Sequence, residues 1–127
     1  MAVAHRILIV DDEPQITSFL AFTFEDAGYL VKTVHSGRDA IALCSAEPFD
    51  VVLSDVMMPA MDGYQLVQWL AAHYPNTRTA LMSGCDEVRD KCSCSPPCPL
   101  IAKPFPPQKI VSFVEEVMAT SQAVKRC

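Results

Sequence analysis

The chain has 127 residues, of which half are hydrophobic and a fifth are charged, and its 15 acidic and 10 basic residues give a formal net charge of −5. This composition fits one folded domain and excludes an intrinsically disordered chain, while the acidic balance argues against a nucleic-acid surface on the domain. No apolar stretch reaches the length that crosses a membrane, so we expect a soluble, cytoplasmic protein with no membrane partner.

Strand-like and helix-like segments alternate from one end of the chain to the other, which predicts an α/β fold with a doubly wound parallel sheet and helices on both faces. The five predicted strands cover residues 7–10, 30–34, 51–54, 80–82 and 100–102. Four helices have clear ends, and they run from Pro14 to before Gly28, from after Ser36-Gly37 to before Pro48, from after the turn pair Asp62-Gly63 to before Pro75, and from about Gln108 to Ala119.

Each of these helices carries an apolar stripe at helical spacing, which is expected to face the sheet. The residues expected in the stripes are Ile16, Phe19, Leu20, Thr23, Phe24 and Ala27, then Ala40, Ile41 and Cys44, then Leu66, Val67 and Leu70, and finally Ile110, Val111, Val114, Val117 and Met118. On the register of the first helix, Phe22 points away from the core. It is therefore either an incidental surface aromatic or part of a contact site.

The segment between the fourth and fifth strands departs from this pattern. Residues 86–92 allow about two turns of helix, but prolines at 96, 97 and 99 forbid regular helix beyond that, so we predict a short, proline-broken fourth helix. Four of the six cysteines, Cys85, Cys92, Cys94 and Cys98, lie in or beside this segment. Zinc or iron–sulfur binding, a redox-sensing disulfide and incidental thiols all remain open; the common C-x₂-C pair is missing, so incidental thiols are favoured.

Polar side chains follow four of the predicted strands at the point where each strand ends. Asp11 and Asp12 follow the first strand, and Asp55, Ser83 and Lys103 end the third, fourth and fifth. Because the carboxyl ends of parallel strands share one edge of a sheet, these groups should meet in one crevice. Crowded carboxylates repel one another, so Mg²⁺ assisted by the lysine is expected among them.

Such a site is suited to the transfer of a phosphoryl group to a carboxylate. Asp55 is the candidate nucleophile, Asp11 and Asp12 the candidate metal ligands, and Ser83 and Lys103 the candidate partners of the phosphoryl oxygens. Taken alone, Asp11 and Asp12 are equally consistent with capping the first helix. The expected proximity of Asp11 and Asp12 to Asp55 and Lys103 favours metal binding over capping.

These motifs, in this order and spacing, resemble the receiver domain of two-component response regulators over nearly the whole chain. The matching stretches are Val10-Asp11-Asp12-Glu13, Ser54-Asp55-Val56-Met57-Met58-Pro59-Ala60-Met61-Asp62-Gly63, Met82-Ser83-Gly84 and Ala102-Lys103-Pro104-Phe105. The resemblance implies a flavodoxin-like, CheY-like fold, with a receiver domain over 1–122 and a tail over 123–127. It also implies a cis Lys103-Pro104 peptide bond.

The resemblance further implies that Asp55 accepts a phosphoryl group from a sensor histidine kinase or a phosphotransfer domain. Mg²⁺ would be held by Asp12, Asp55 and the backbone carbonyl of Met57, with Asp11 acting through water. Ser83 would turn toward the phosphate, Gly84 would leave room for it and Lys103 would bind it. The domain would be a signalling switch rather than an enzyme, catalysing at most its own phosphorylation and slow dephosphorylation, and the resemblance leaves its oligomeric state open, a phosphorylation-linked dimer included.

The chain departs from the family pattern in three respects. Leu100 stands where many receivers carry a switch aromatic, and Met57 and Cys85 stand where polar residues influence the lifetime of the phosphoryl group. The proline-broken fourth helix is the third departure. Two other functions are weighed beside the switch, namely a thiol-based redox or metal module on a receiver scaffold and an aspartyl-phosphate phosphatase. We expect either a single-domain regulator or a piece of a longer protein, since no further domain follows Cys127.

Overall fold

Five strands and four helices alternate along the part of the chain that the computed structural model describes, which is residues 5–84, 99–103 and 105–119. In chain order the elements are β1 (Arg6–Val10), α1 (Pro14–Asp26), β2 (Leu30–Val34), α2 (Gly37–Ala46), β3 (Val51–Asp55), α3 (Gly63–His73), β4 (Arg78–Ser83), β5 (Leu100–Ala102) and α4 (Pro107–Ala119). The alternation that the sequence predicts is therefore confirmed over these residues.

The strands form one parallel sheet in the order β2-β1-β3-β4-β5. The chain moves from β1 outward to β2 and then crosses back to β3, so the direction of winding reverses between β1 and β3. In sheets of this kind, ligands bind outside the carboxyl ends of the strands at this reversal. The predicted doubly wound, flavodoxin-like architecture is confirmed, and it places the candidate residues at that edge.

Three strands are longer than predicted, because polar residues continue the pairing that the apolar runs begin. β1 starts at Arg6, β3 includes Asp55, and β4 extends from Arg78 to Ser83. Arg78 pairs with Val51 and Asp55 with Met82 in the register of β3 and β4. As a result, the phosphoacceptor candidate belongs to the strand itself rather than to the loop that follows it.

The core has two main clusters, one on each face of the sheet. In β1, Ile7 and Ile9 pack with α1 and α4 on one face, whereas Leu8 and Val10 pack with α2 and α3 on the other. Burial of both faces explains why β1 and β3 are uninterrupted apolar runs in the sequence. The amino ends of two helices are fixed by side-chain caps, Ser36 on α2 and a capping box of Asp62 with Gln65 on α3.

The predicted stripe of α1 is only partly right. Leu20, Thr23 and Phe24 are buried as expected, but Phe19 is 40% exposed and Ala27 is also exposed. Thr17 takes a buried place instead, because its hydroxyl donates a hydrogen bond to the backbone oxygen of Pro14 and is thereby satisfied in the interior. Phe22 is 73% exposed, as its position on the helix predicts.

Several predictions fall outside the described residues. They are the short helix over 86–92, the cysteine-bearing loop up to Cys98, the Lys103-Pro104 bond and the domain boundary at residue 122. Within the described ranges, no helix combines the length and the apolar character needed to cross a bilayer.

Candidate phosphoacceptor site

Four strands deliver the candidate site residues to one edge of the sheet. Asp11 directly follows β1, and its backbone N–H donates to Val34 of the neighbouring β2. Asp55 and Ser83 are the last residues of β3 and β4. Lys103 directly follows β5, where its backbone N–H donates to the oxygen of Ser83 at 2.7 Å. Residues separated by up to 92 positions in sequence are therefore held together by the pairing of the sheet.

The three aspartates form one cluster whose carboxylate oxygens lie within 4.8 Å of one another. Asp11 is fully buried and Asp55 is 7% exposed, whereas Asp12 lies at the exposed rim. The backbone N–H of Glu13 donates to one oxygen of Asp11 at 2.9 Å, which fixes that carboxylate. Glu13 is the N-cap of α1 and makes no side-chain cap bond, so capping of this helix does not account for Asp11 and Asp12.

Lys103 is the cation of the cluster. Its ammonium nitrogen lies 3.1 Å from one oxygen of Asp11 and 3.2 Å from one oxygen of Asp55. Burial alone lowers the pKa of Lys103, but the hydrogen bond to Asp11 and the charge of Asp55 outweigh that effect and raise the pKa above its ordinary value. The ammonium group therefore stays charged at neutral pH.

Asp55 carries the largest electrostatic cost that is resolved in the site. Burial raises its pKa, the Lys103 ammonium opposes that rise, and the carboxylates of Asp11 and Asp12 add to it, so that the pKa of Asp55 reaches about 6. One ammonium thus does not offset the burial of Asp55 and the repulsion of two neighbouring carboxylates. The site favours a further positive charge beside Asp55.

Clustered carboxylate oxygens fit a hard divalent cation such as Mg²⁺, which binds proteins through a few carboxylates. The donors that Asp11, Asp12 and Asp55 provide match the Mg²⁺ site that the sequence resemblance implies. Met57 lies two residues after Asp55 in the sequence, and 55% of this residue is exposed to solvent. Its backbone carbonyl as a fourth ligand remains a prediction.

The loop between β3 and α3 is closed by two backbone hydrogen bonds at 2.9 Å, from Val56 to Met82 and from Gly63 to Val56. Gly63 is needed there, because a Cβ would lie 2.5 Å from the backbone oxygen of Asp55. The sequence interpretation of Asp62-Gly63 as a turn pair was incomplete, since Asp62 caps α3. The aspartate followed three residues later by Gln65 is the signal that identifies such a cap.

The sequence also gave no indication of Ala60, whose φ of 68° lies in the left-handed region that favours glycine. It did anticipate the grouping of Asp11, Asp12, Asp55, Ser83 and Lys103. Cys85 lies outside the described residues, as do Cys92, Cys94 and Cys98. Among the described residues, Cys44 is the free cysteine, and burial raises the pKa of its thiol to about 11.

Comparisons with known proteins agree with this geometry. A family model described as response regulator receiver domain matches residues 7–115. The transcriptional regulatory protein TcrA of Mycobacterium tuberculosis is 35% identical over 86 residues, which covers 68% of this chain and 34% of that protein. This chain therefore spans about a third of the length of that curated relative.

Two solved structures superpose over most of the chain. The chemotaxis response regulator CheY4 of Vibrio cholerae aligns with a TM-score of 0.83 at 29% identity, covering 91% of this chain and 99% of that one. The signal receiver domain of a signal transduction histidine kinase from Syntrophus aciditrophicus aligns with a TM-score of 0.82 at 31% identity, covering 98% and 95% of the two chains.

Proposed function

The chain belongs to the response regulator receiver family, and we propose that it acts as a phosphorylation-activated switch whose phosphoacceptor is Asp55. The observation that carries this proposal is the position of Asp55, which is nearly buried at the end of the central β3 and bound to Lys103. Carboxylate oxygens of Asp11 and Asp12 lie within 4.8 Å of an oxygen of Asp55, close enough for the three to bind one ion. Asp11 shares the lysine and the cluster, but it follows β1, whereas Asp55 ends the central strand β3.

The proposed reaction moves a phosphoryl group from a phosphohistidine to Asp55. A carboxylate oxygen of Asp55 forms the new bond to phosphorus while the bond between phosphorus and the histidine nitrogen breaks, and the electron pair stays on that nitrogen. Attack requires the ionised carboxylate. A pKa of about 6 for Asp55 leaves most of the molecules ionised at neutral pH.

Asp12, Asp55 and the carbonyl of Met57 would hold Mg²⁺, with Asp11 acting through water. When bound, the ion neutralises negative charge on the oxygens of the transferring group. Asp11 also has a second task in this proposal, because it keeps the Lys103 ammonium beside Asp55 through a contact of 3.1 Å. Lys103 can then move from a carboxylate oxygen to a phosphoryl oxygen without crossing the site.

Ser83 and Lys103 would bind the new phosphoryl group. Ser83 lies at the end of β4 beside Lys103, to which its backbone is bonded at 2.7 Å, so the hydroxyl and the ammonium approach the acceptor from adjacent strands. A phosphoryl group adds nearly two negative charges and accepts several hydrogen bonds. Its formation would therefore draw these two side chains inward, and this movement is the proposed switch.

The phosphorylated state is expected to be long-lived. Met57 follows Asp55 by two positions and presents a thioether, which can neither accept a proton from water nor donate one. We therefore propose slow self-dephosphorylation rather than phosphatase activity. Leu100 packs against a small buried cluster that includes Val56 and Leu81. Many receivers carry at this position an aromatic ring that moves on phosphorylation, and a leucine cannot make that movement.

The partner that delivers the phosphoryl group is proposed to be a sensor histidine kinase or a phosphotransfer domain. The helices α1 and α4 begin four or fewer residues after Asp11 and Lys103, and they frame a groove of about 550 Å³. Phe19 and Phe22 line it, and both are exposed. The groove lies along the second half of α1 and the first turns of α4, and we propose this exposed apolar face as the docking surface of the partner.

The assignment of Asp55 is tested with acetyl phosphate and Mg²⁺, followed by intact-mass measurement. Wild-type protein should gain one phosphoryl group, Asp55→Asn should gain none, and Asp12→Ala should lose Mg²⁺ binding. Asp26→Asn is the matched control, because it makes the same change at an exposed position on α1. Equal modification of Asp55→Asn and wild type would remove Asp55 as the acceptor.

The contact face is tested separately with a phosphohistidine donor that labels the wild-type chain. Phe22→Ser should slow transfer from this donor and leave modification by acetyl phosphate unchanged, since the small donor needs no docking surface. Leu30→Ser is the control, because Leu30 is 54% exposed on the edge strand β2, away from the groove. Equal slowing by both substitutions would contradict a specific role for Phe22.

A further inference from the structure

The proposed function assigns to Mg²⁺ the carbonyl of Met57, which belongs to the loop that joins β3 to α3, so the position of this loop should affect binding of the ion. Both ends of the loop are fixed by backbone hydrogen bonds, from Val56 to Met82 and from Gly63 to Val56. Between these ends the side chains of Met58 and Met61 turn back to the cluster formed by α2 and α3. Met58 is 9% exposed and belongs to the buried part of that cluster.

Met61 occupies the space that a side chain on the first residue of α2 would need. A Cβ on Gly37 would lie 2.7 Å from Sδ of Met61, 3.0 Å from its Cγ and 3.1 Å from its Cβ. The whole side chain therefore lies against the bare backbone of Gly37, rather than its flexible tip alone. A larger residue at 37 could not be accommodated by a turn of the thioether, because the Cβ of Met61 itself would have to move.

We infer that Met61, seated on Gly37, is a positioning residue for the metal site. The contact fixes the middle of the β3–α3 loop and, through it, the carbonyl of Met57 that the proposed function assigns to Mg²⁺. Met61 does not touch the carboxylates in this inference. It acts through the backbone of its own loop, as outer contacts of a metal ligand commonly do.

The inference predicts that a substitution at Gly37 changes metal affinity through Met61. Gly37 is the first residue of α2 and follows its cap, Ser36. Replacing a helical glycine with alanine ordinarily stabilises the fold, since glycine loses more backbone freedom on folding. Here, however, the added Cβ meets Met61, so Gly37→Ala should destabilise the metal-free protein, and the displaced Met61 should weaken Mg²⁺ binding to the folded protein by roughly tenfold.

The experiment is a double-mutant cycle on the full chain, with MgCl₂ alone as the titrant and calorimetric Kd as the main readout. Wild type, Gly37→Ala, Met61→Ala and the double variant are compared, and urea unfolding without metal is measured for each. Met61→Ala should itself weaken binding. In that background, Gly37→Ala should change the Kd by less than about twofold, because the side chain that it displaces is already gone.

Arg38→Ala is the control, since it alters an exposed neighbour on the same turn of α2. Its Kd should equal that of wild type. Equal Kd values for wild type and Gly37→Ala would overturn the inference, and so would additive losses in the double variant.

The inference rests on the proposed function, and Asp55→Asn tells the two failures apart. Wild-type binding that is unaffected by Asp55→Asn overturns both proposals. Binding that depends on Asp55 but ignores Gly37 overturns the positioning role of Met61 alone.

Discussion

Asp55→Asn should make the metal-free protein more stable at neutral pH, although it removes the proposed phosphoacceptor. The buried carboxylate of Asp55 lies among Asp11 and Asp12, with Lys103 as the cation at 3.2 Å. An asparagine keeps the shape of the side chain and removes its charge. The substitution therefore relieves the burial of a charge and the repulsion between carboxylates, and it loses one contact with an ammonium that Asp11 still binds.

The expected gain follows from the pKa of Asp55. Burial, partly opposed by Lys103 and reinforced by Asp11 and Asp12, raises that pKa from 3.8 to about 6. At about 1.4 kcal/mol for each pKa unit, this rise corresponds to at most about 3 kcal/mol of lost stability when Asp55 is ionised. This value already includes the opposing effect of Lys103, so we expect Asp55→Asn to raise the free energy of unfolding by up to about 3 kcal/mol at pH 7.5.

The pH dependence has a definite sign. Between the unfolded pKa of 3.8 and the folded value of about 6, the folded chain binds more protons than the unfolded chain. The contribution of Asp55 to stability therefore falls as pH rises through this window and is constant above it. The advantage of Asp55→Asn should be largest above pH 7 and should shrink as pH falls toward 4.

Urea unfolding at a series of pH values, without divalent cations, measures this difference directly. Asp26→Asn is the control and should show no comparable trend. Addition of Mg²⁺ should reduce the difference in stability between Asp55→Asn and wild type, because the ion should bind folded wild type more tightly. An ion that binds only the folded protein stabilises it by about 2.7 kcal/mol at a hundredfold excess over Kd. An Asp55→Asn protein that is less stable than wild type at pH 7.5, or a difference independent of pH, would refute the electrostatic reasoning.

Three further substitutions or reactions test the loop and the core. Gly63→Ala should lower the free energy of unfolding by about 1–3 kcal/mol, since its Cβ would meet the backbone oxygen of Asp55 at 2.5 Å; urea unfolding that matches wild type would contradict this packing. Ala60→Gly should raise that free energy by about 0.5–1 kcal/mol, because the native φ of 68° suits glycine, and a loss of stability would disprove the assignment of strain. Cys44 should react with a thiol reagent far more slowly in the native protein than in urea, because burial raises its pKa to about 11, as peptide mapping of the labelled protein can verify.

The sequence predicted the architecture and the grouping of the site residues because both depend on the same pattern. Apolar runs such as 7–10 and 51–53 require a sheet that is covered on both faces, and Asp11 and Asp55 follow them at the edge that parallel strands share. Ser83 and Lys103 follow the next two strands in the same way.

What the sequence could not predict depends on contacts between distant segments. The predicted apolar stripe of α1 included Phe19, which is exposed, and omitted Thr17, which is buried. Polarity alone does not show that the Thr17 hydroxyl donates a hydrogen bond to the backbone oxygen of Pro14 and can therefore be buried. The packing of Met61 against Gly37 joins the β3–α3 loop to the first residue of α2, and neither residue type indicates this contact. The pairing of Lys103 with both Asp11 and Asp55 likewise needed the three-dimensional arrangement.

The pairing of β1 with β3, and the late place of β5 in the chain, have a consequence for synthesis. The ribosome releases Asp11, Asp12 and Asp55 before Lys103, because synthesis runs from the amino end at about 5–20 residues per second. A nascent chain that has paired β1 with β3 therefore gathers its carboxylates before its own ammonium arrives with β5. We expect divalent cations in the medium to stabilise this intermediate, so that the ion proposed for the chemistry would also assist assembly of the protein.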